Sequence, residues 1–309
     1  MKTLLVALDH TAAAEHTLAY ANKLAVRWPA EIVVLYCHHK PAAGQPVETL
    51  GNQEQRLRSL VERLRYQQLT RQDGRRIQYH YRVLAGCLHD HIREEALRCA
   101  ADLVLMGLEH IDCNRQQAPG NHAAAIAKLV SCPLLVVPAG RRSLPKRMVF
   151  SADFRTLGLH ILPRLAGLEG AFPGPLDLVQ FYAPADRPQR RQLKQALSKA
   201  SAHLAWPFSA THLLEDDAPL EGISDFCAHL QAQLLVIAPG SQEELLRFFD
   251  ACYATTQAYH TRIPMLVLPS AAERQPQVAC CDRCAARLAQ EAAPATLPAR
   301  ADYYAVRWA

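Results

Sequence analysis

Residues 102–107, Asp102-Leu103-Val104-Leu105-Met106-Gly107, run apolar from an aspartate to a glycine and recur as Gln233-Leu234-Leu235-Val236-Ile237-Ala238. An apolar run with no polar alternation reads as a strand buried on both faces, the kind found in parallel sheets covered by helices. Working outward, Cys132-Pro133-Leu134-Leu135-Val136-Val137-Pro138 recurs as Ile263-Pro264-Met265-Leu266-Val267-Leu268-Pro269, and both recurrences have the same offset, 131 residues from Gly107 to Ala238 and from Pro133 to Pro264. A register shared by separate segments marks a duplication. Nearer the start, Leu4-Leu5-Val6-Ala7-Leu8-Asp9 recurs as Met148-Val149-Phe150-Ser151-Ala152-Asp153 at an offset of 144, so the second copy has lost 13 residues between its first and fourth strands.

Helical spacing fills the gaps between the strands of the first copy. Leu18, Ala21, Leu24 and Ala25 predict a helix closed by Trp28-Pro29, and a second strand follows at residues 32–36. Leu57, Leu60, Val61 and Leu64 mark a long amphipathic helix with Asp73-Gly74 as its stop, before a third strand at 77–84. Helices at 92–100 and 123–130 bracket the fourth strand, and the fifth covers 133–138. Strands separated by helices pair in parallel through right-handed crossovers. At 309 residues the chain has room for two domains, at 1–140 and 145–270, joined by the basic, proline-containing stretch 139–146 and followed by a cysteine-containing tail at 271–309.

Composition narrows the function classes. The formal charge of +5 is modest and the basic residues are dispersed along helices, so no nucleic-acid partner is expected. No segment has the length of a membrane span, and Asp9 and His10 cut the apolar run after Lys2 too short for an export signal; a cytoplasmic protein with no membrane partner is expected. Seven of the ten cysteines are scattered singly, as reduced core thiols are.

With LLVALD at 4–9, ADLVLMG at 101–107 and CPLLVVP at 132–138, in that order, the chain resembles a tandem member of the universal stress protein family over residues 1 to about 270. The resemblance implies an α/β fold of two Rossmann-like (adenine nucleotide alpha hydrolase-like) domains, each a five-stranded parallel sheet flanked by helices. It also implies pairing of fifth strands, here within one chain, with a homodimer open to the pair so formed. In the nucleotide-binding branch of the family, a glycine follows the fourth strand, a second comes three positions later and a third ten beyond that, before serine or threonine. Gly107 and Gly120 hold the first and third places, His110 replaces the second glycine, and Asn121 replaces the hydroxyl residue. Glycine lets the backbone approach phosphate oxygens, while helix N-terminal amides supply donors. Asn121 still caps and donates, whereas the His110 ring occupies space where close approach is needed. The resemblance sets Asp9 and the backbone of Cys37 beside adenosine, with Met106, Gly107, His110, Gly120, Asn121 and His122 around ribose and phosphates. Two readings stay open: a degenerate pocket for ATP or another adenine nucleotide, or a loop whose Pro119-Gly120-Asn121 only starts a helix. Asp9 likewise reads either as a ligand contact or as a residue that caps the next helix.

The second copy has Ala238 for the first glycine, Ser241 at the second place, Ala251-Cys252 at the last, and Glu243 and Glu244 where phosphates would arrive; it reads as a partner without nucleotide. Other chemistry is thinner. His10, His38, His39 and His110 with Cys37 and Cys113 follow strands, but without compact ligand spacing, so no metal is expected. Cys280, Cys281 and Cys284 form one cysteine cluster without a second pair. His89-Asp90-His91 reads as the first turn of a helix, and no catalytic residue is assigned. The expectation is a non-enzymatic stress-response protein, slow nucleotide hydrolysis left open, that binds a regulatory protein partner. The alternative is a metal- or thiol-redox-responsive sensor through the strand-edge His and Cys residues or the tail cluster.

Overall fold

The computed structural model describes residues 1–9, 11–38, 50–111, 121–140, 142–158, 161–204, 206, 209–250 and 255–269, the side chains of residues 50, 71, 121 and 242 excepted. The tail, with Cys280, Cys281 and Cys284, lies outside the described residues, as do His10, His39, Cys113, Gly120 and Ala251-Cys252.

The first half runs β1 (Lys2–Leu8), α1 (Ala12–Arg27), β2 (Ala30–His38), α2 (Leu50–Gln68), α3 (Arg71–Arg76), β3 (Tyr79–Ala85), α4 (Leu88–Arg98), β4 (Leu103–Gly107), α5 (Asn121–Leu129) and β5 (Leu134–Val137). The second runs β6 (Met148–Ser151), α6 (Ile161–Ala166), β7 (Leu176–Tyr182), a 3-10 turn (Pro184–Gln189) leading into α7 (Arg190–Leu204), β8 (Ser209–Glu215), α8 (Pro219–His229), β9 (Leu234–Ile237), α9 (Gln242–Phe248), a second 3-10 turn (Tyr259–Arg262) and β10 (Met265–Val267). All ten strands join one sheet in the order β3-β2-β1-β4-β5-β10-β9-β6-β7-β8. Each half is parallel throughout, and the halves meet antiparallel at β5 and β10, where Leu135 faces Leu266. Two Rossmann-like halves in tandem, each a five-stranded parallel sheet, thus share one sheet.

The apolar runs account for this. β1, β4, β5, β6, β9 and β10 carry nearly unbroken buried side chains, because helices cover both faces. α1 and α2 of the first half and α6 and α7 of the second pack over one face; α4, α5, α8 and α9 pack over the other. Each layer is continuous across the seam, and each fully buried large aliphatic side chain contributes roughly 1.5–3 kcal/mol. Close contacts between halves add to it: a Cβ on Gly170 would lie 3.1 Å from Trp28 Cδ1, and the Arg164 guanidinium donates to Ser131 O.

The strand registers localise the deletion. The offset of 144 holds from β1 to β2, where Leu4 pairs with Ile32 and Met148 with Leu176. It falls to 130 at the third strands, where Ile32 pairs with Tyr79 and Leu176 with Ser209. The shortening therefore lies in the second crossover, which holds α2 and α3 in the first half and the 3-10 turn with α7 in the second. There the expected stop at Asp73-Gly74 is corrected. The long helix ends earlier, and Asp73-Gly74 lies inside α3, because Thr70 starts a new helix: its hydroxyl accepts the Asp73 N–H at 3.1 Å and donates to Asp73 Oδ2 at 2.6 Å. Among the described residues no helix is long and apolar enough to cross a membrane.

Candidate functional site at the C-terminal strand edge

The chain leaves β1 toward β2 on one side and reaches β4 on the other, with α1 on one face and α5 on the opposite one. The crossovers after β1 and β4 thus run to opposite sides of the sheet, and at such a switch point sheets of this kind bind ligands in a crevice outside the carboxyl ends of the strands. Asp9 stands on one side of the crevice and Gly107, the last residue of β4, on the other. Cys37, near the end of β2, lies on the far side of Asp9.

Asp9 is held from both sides. Its Oδ1 accepts the Thr11 N–H at 2.9 Å and the Thr11 hydroxyl at 2.6 Å, a local turn that delivers the chain to the Thr11 cap of α1. Its Oδ2 accepts the Ile111 N–H at 2.7 Å from the loop after β4. The carboxylate thus ties together the two loops that flank the crevice, and it enters the helix as a turn residue while Thr11 takes the cap. Gly107 has a packing reason for lacking a side chain. A Cβ there would lie 3.2 Å from Thr17 Oγ1 on α1 and 3.8 Å from His110 N. Thr17, 1% exposed, carries no motif signal and was absent from the sequence reading.

Three histidines meet on the other side. His122, in the first turn of α5 and 3% exposed, stacks on His110 with ring centroids 5.0 Å apart and planes 28° from parallel. It also lies 4.8 Å from the ring of His89, in the first turn of α4, at 44°. The sequence assigned His89 to a helix turn and missed its meeting with His122; the available signal was that α4 and α5 cover the same sheet face and start at the same edge. Its neighbour His91 turns elsewhere, with Nε2 3.0 Å from Ala85 O. Met106 is fully buried among the residues under α4 and α5. Asn121 begins α5, whose first turn carries no acidic residue. His38 ends β2. The loop after β4 is braced by Glu109, whose carboxylate accepts the Ala139 N–H at 3.1 and 3.2 Å. Beside it, the linker backbone at Gly140 donates to His16 Nδ1 at 3.1 Å.

Among the described residues no group of three or more His, Cys, Asp or Glu is arranged to hold a metal ion. Their most shifted thiols are poor nucleophiles: burial pushes Cys99 up to about 11 and Cys132 and Cys227 up to about 12.

The same edge of the second half is closed by its own side chains. Asp153 Oδ1 accepts from Gln180 Nε2 at 2.8 Å and from the Arg155 N–H at 3.0 Å, with the Arg155 guanidinium alongside at 3.3 Å. Gln180, 2% exposed, also accepts the Phe154 N–H at 3.3 Å. At the start of α9, Ser241 Oγ accepts the Glu244 N–H at 3.1 Å while Glu244 Oε2 accepts the Gly240 N–H at 2.8 Å. This reciprocal cap uses the amides that an anion would need and adds negative charge there.

Residues 1–138 match the profile of the Universal stress protein family. Among solved structures, the chain is similar to a universal stress protein from Archaeoglobus fulgidus, at a TM-score of 0.56 and 13% identity, over 88% of this chain and 97% of that one. It is similar also to a functionally unknown protein from Pseudomonas aeruginosa, at a TM-score of 0.56 and 14% identity, over 94% of this chain and 96% of the other. At such identities the likeness is one of fold. No curated protein matches the chain. The first half of the chain, residues 1–138, thus matches the universal stress protein family, and the second half repeats the strand order of the first.

Proposed function

We propose that the chain is a tandem universal stress protein of the cytoplasm that binds an adenine nucleotide, ATP or a relative of it, in its first half alone, and that ligand binding regulates association with a protein partner or a second copy. Its domains run 1–140 and 145–270, with the tail 271–309 beyond them. The observation that carries the reading is the first-half crevice at the switch point, flanked by Asp9 and Gly107 with the acid-free first turn of α5 beside it. In this reading Asp9 and the backbone of Cys37 receive the adenosine portion. The backbones of Met106 and Gly107, with His110, Gly120, Asn121 and His122, surround ribose and phosphates.

In this reading the role is binding, and the described residues at this edge supply hydrogen-bond acceptors and donors. The thiol-redox alternative gains no support from Cys99, Cys132 or Cys227, whose burial disfavours the thiolate. Calorimetric titration of the parent and of Gly120→Asp with ATP tests the proposal. Binding by the parent that the added carboxylate abolishes is the expected result; equal heats, or none in the parent, would reject it. Hydrolysis lost in Asp9→Ala would move the protein to the enzymes.

A further inference from the structure

We propose that the helical layer formed by α1, α2, α6 and α7 is an electrostatic docking surface for single-stranded nucleic acid, with the outer side of α7 as its principal contact. The inference is independent of the crevice at the strand edge. Dispersed along the chain, the cations form no stripe in the sequence; the fold sorts them. The four helices of this layer carry eleven Lys and Arg against three Asp and Glu, while α4, α5, α8 and α9 on the opposite layer carry four against seven. A surface of one sign draws a polyanion toward it and holds it by releasing the counterions condensed on its phosphates.

The duplication shows which cations are available. α2 and α7 occupy the same crossover in the two halves. On α2, Arg58 pairs with Glu54, Arg65 with Glu62, and Arg63 with Glu15 of α1. α7 has no acid along its whole length, and its Arg190, Arg191, Lys194 and Lys199 are all exposed. Among the described residues none of the four is in an ion pair; Glu215, which feels the charge of Arg190, is bonded to Arg187 instead. Arg191 and Lys194 are three residues apart, Arg190 and Lys194 four, and both arginines stand at the positive helix start. The helix therefore keeps cations that repel one another and its own dipole, and a polyanion removes that repulsion.

The residues between the cations distinguish one polyanion from another. Leu193, Leu197, Ala200 and Leu204 are buried, which leaves Gln192, Gln195 and Ser198 exposed beside the charges. Amide and hydroxyl side chains bond phosphate and sugar oxygens, whereas a helix lying in a membrane presents large apolar residues to the lipid. At the other end of the layer, Tyr66 of α2 is 82% exposed and follows Arg65 in the chain. Its ring offers a base a place to stack, and an unpaired base reaches it, which favours a single strand over a duplex.

The test is fluorescence anisotropy of the full chain with a labelled uridine oligomer of about 20 nucleotides, repeated from about 50 to 200 mM salt. Binding with a logarithmic salt slope of about −3 or steeper is expected, at about 0.7 for each phosphate met by one of the four α7 cations. Replacing Arg191→Gln and Lys194→Gln together makes that slope shallower by about 1.4 and weakens binding at least about tenfold. Arg93→Gln with Lys128→Gln, exposed on the opposite layer, leaves both unchanged. Tyr66→Ala weakens binding at the same slope, because stacking releases no counterions. All five positions are exposed, so the substitutions leave the core intact. No binding at the lowest salt, or equal losses from the two charge pairs, overturns the proposal. Flotation with phosphatidylserine vesicles without binding of the oligomer overturns it as well and assigns the face to a membrane.

Discussion

The carboxyl edges of the two halves share a strand order and end in opposite electrostatics. In the first, Asp9 spans two loops and three imidazoles line up where α4 and α5 begin. In the second, Asp153 is occupied by Gln180 and Arg155, and Glu244 folds back over the start of α9. The difference teaches that a duplicated sheet preserves the strand order while a few side chains set the chemistry at its carboxyl edge. Backbone topology makes the place, and helix-start chemistry opens or closes it.

Acid should separate the halves most strongly. His260, in the second half, is fully buried edge-on to Phe248, and burial lowers its pKa from 6.5 to about 4. Because the folded pKa lies below the unfolded one, the unfolded chain binds more protons between those values, and stability falls as pH drops from 6.5 to about 4. The loss amounts to about 3 kcal/mol at most, read from denaturant midpoints. His260→Gln should flatten the slope; an unchanged slope would remove His260 as its source.

The edge strands offer a second contrast. Glu95 on α4, 4% exposed, holds Arg82 of β3 at 3.2 Å and also Arg98. The second half ties its edge with His212 of β8, 3.0 Å from Asp177 of β7. Glu95→Ala should cost about 2 kcal/mol, the partial exposure of both arginines reducing the full cost of breaking a buried pair. Asp177→Asn should cost less than about 1 kcal/mol. Equal losses in melting temperature would remove the distinction.

The two aspartates give the functional form of the comparison. Asp9→Asn should weaken ADP at least about tenfold, or about 1.4 kcal/mol. Asp153→Asn should leave ADP affinity unchanged and cost about 1 kcal/mol of stability through its bonds to Gln180 and Arg155. An ADP effect from Asp153 would reopen the second crevice. The smallest effect expected is about 1 kcal/mol from Ser241→Ala, through the lost α9 cap and without any gain of ligand binding.

Much of the sheet was legible because apolar runs without alternation have one stable home, between two layers of helix; Leu103 to Met106 and Leu234 to Ile237 are such runs and lie fully buried. The break at Thr70 was less legible, since a hydroxyl and a carboxylate three residues apart compete with a glycine as the helix signal. The places of Asp9 after β1 and of Gly107 and His110 at the end of β4 were visible because each follows an apolar run. Thr17 and His89 were hidden, because each reaches the edge from a helix whose facing residues are fixed only by packing. Gln180 was hidden for the same reason: a buried amide serving Asp153 across 27 residues leaves no local pattern.

By itself, the sequence determined the alternation of strand and helix, the duplication, and the acids at the start of α9, all of which depend on local periodicity or on recurrence at a fixed offset. The pairing of the fifth strands was implied by the resemblance, but only the tertiary structure decided its antiparallel register, with Leu135 facing Leu266, and the meeting of His89, His110 and His122. Those relations join residues far apart in the chain, and the burial of the two faces, which sets them, is a property of the packed whole.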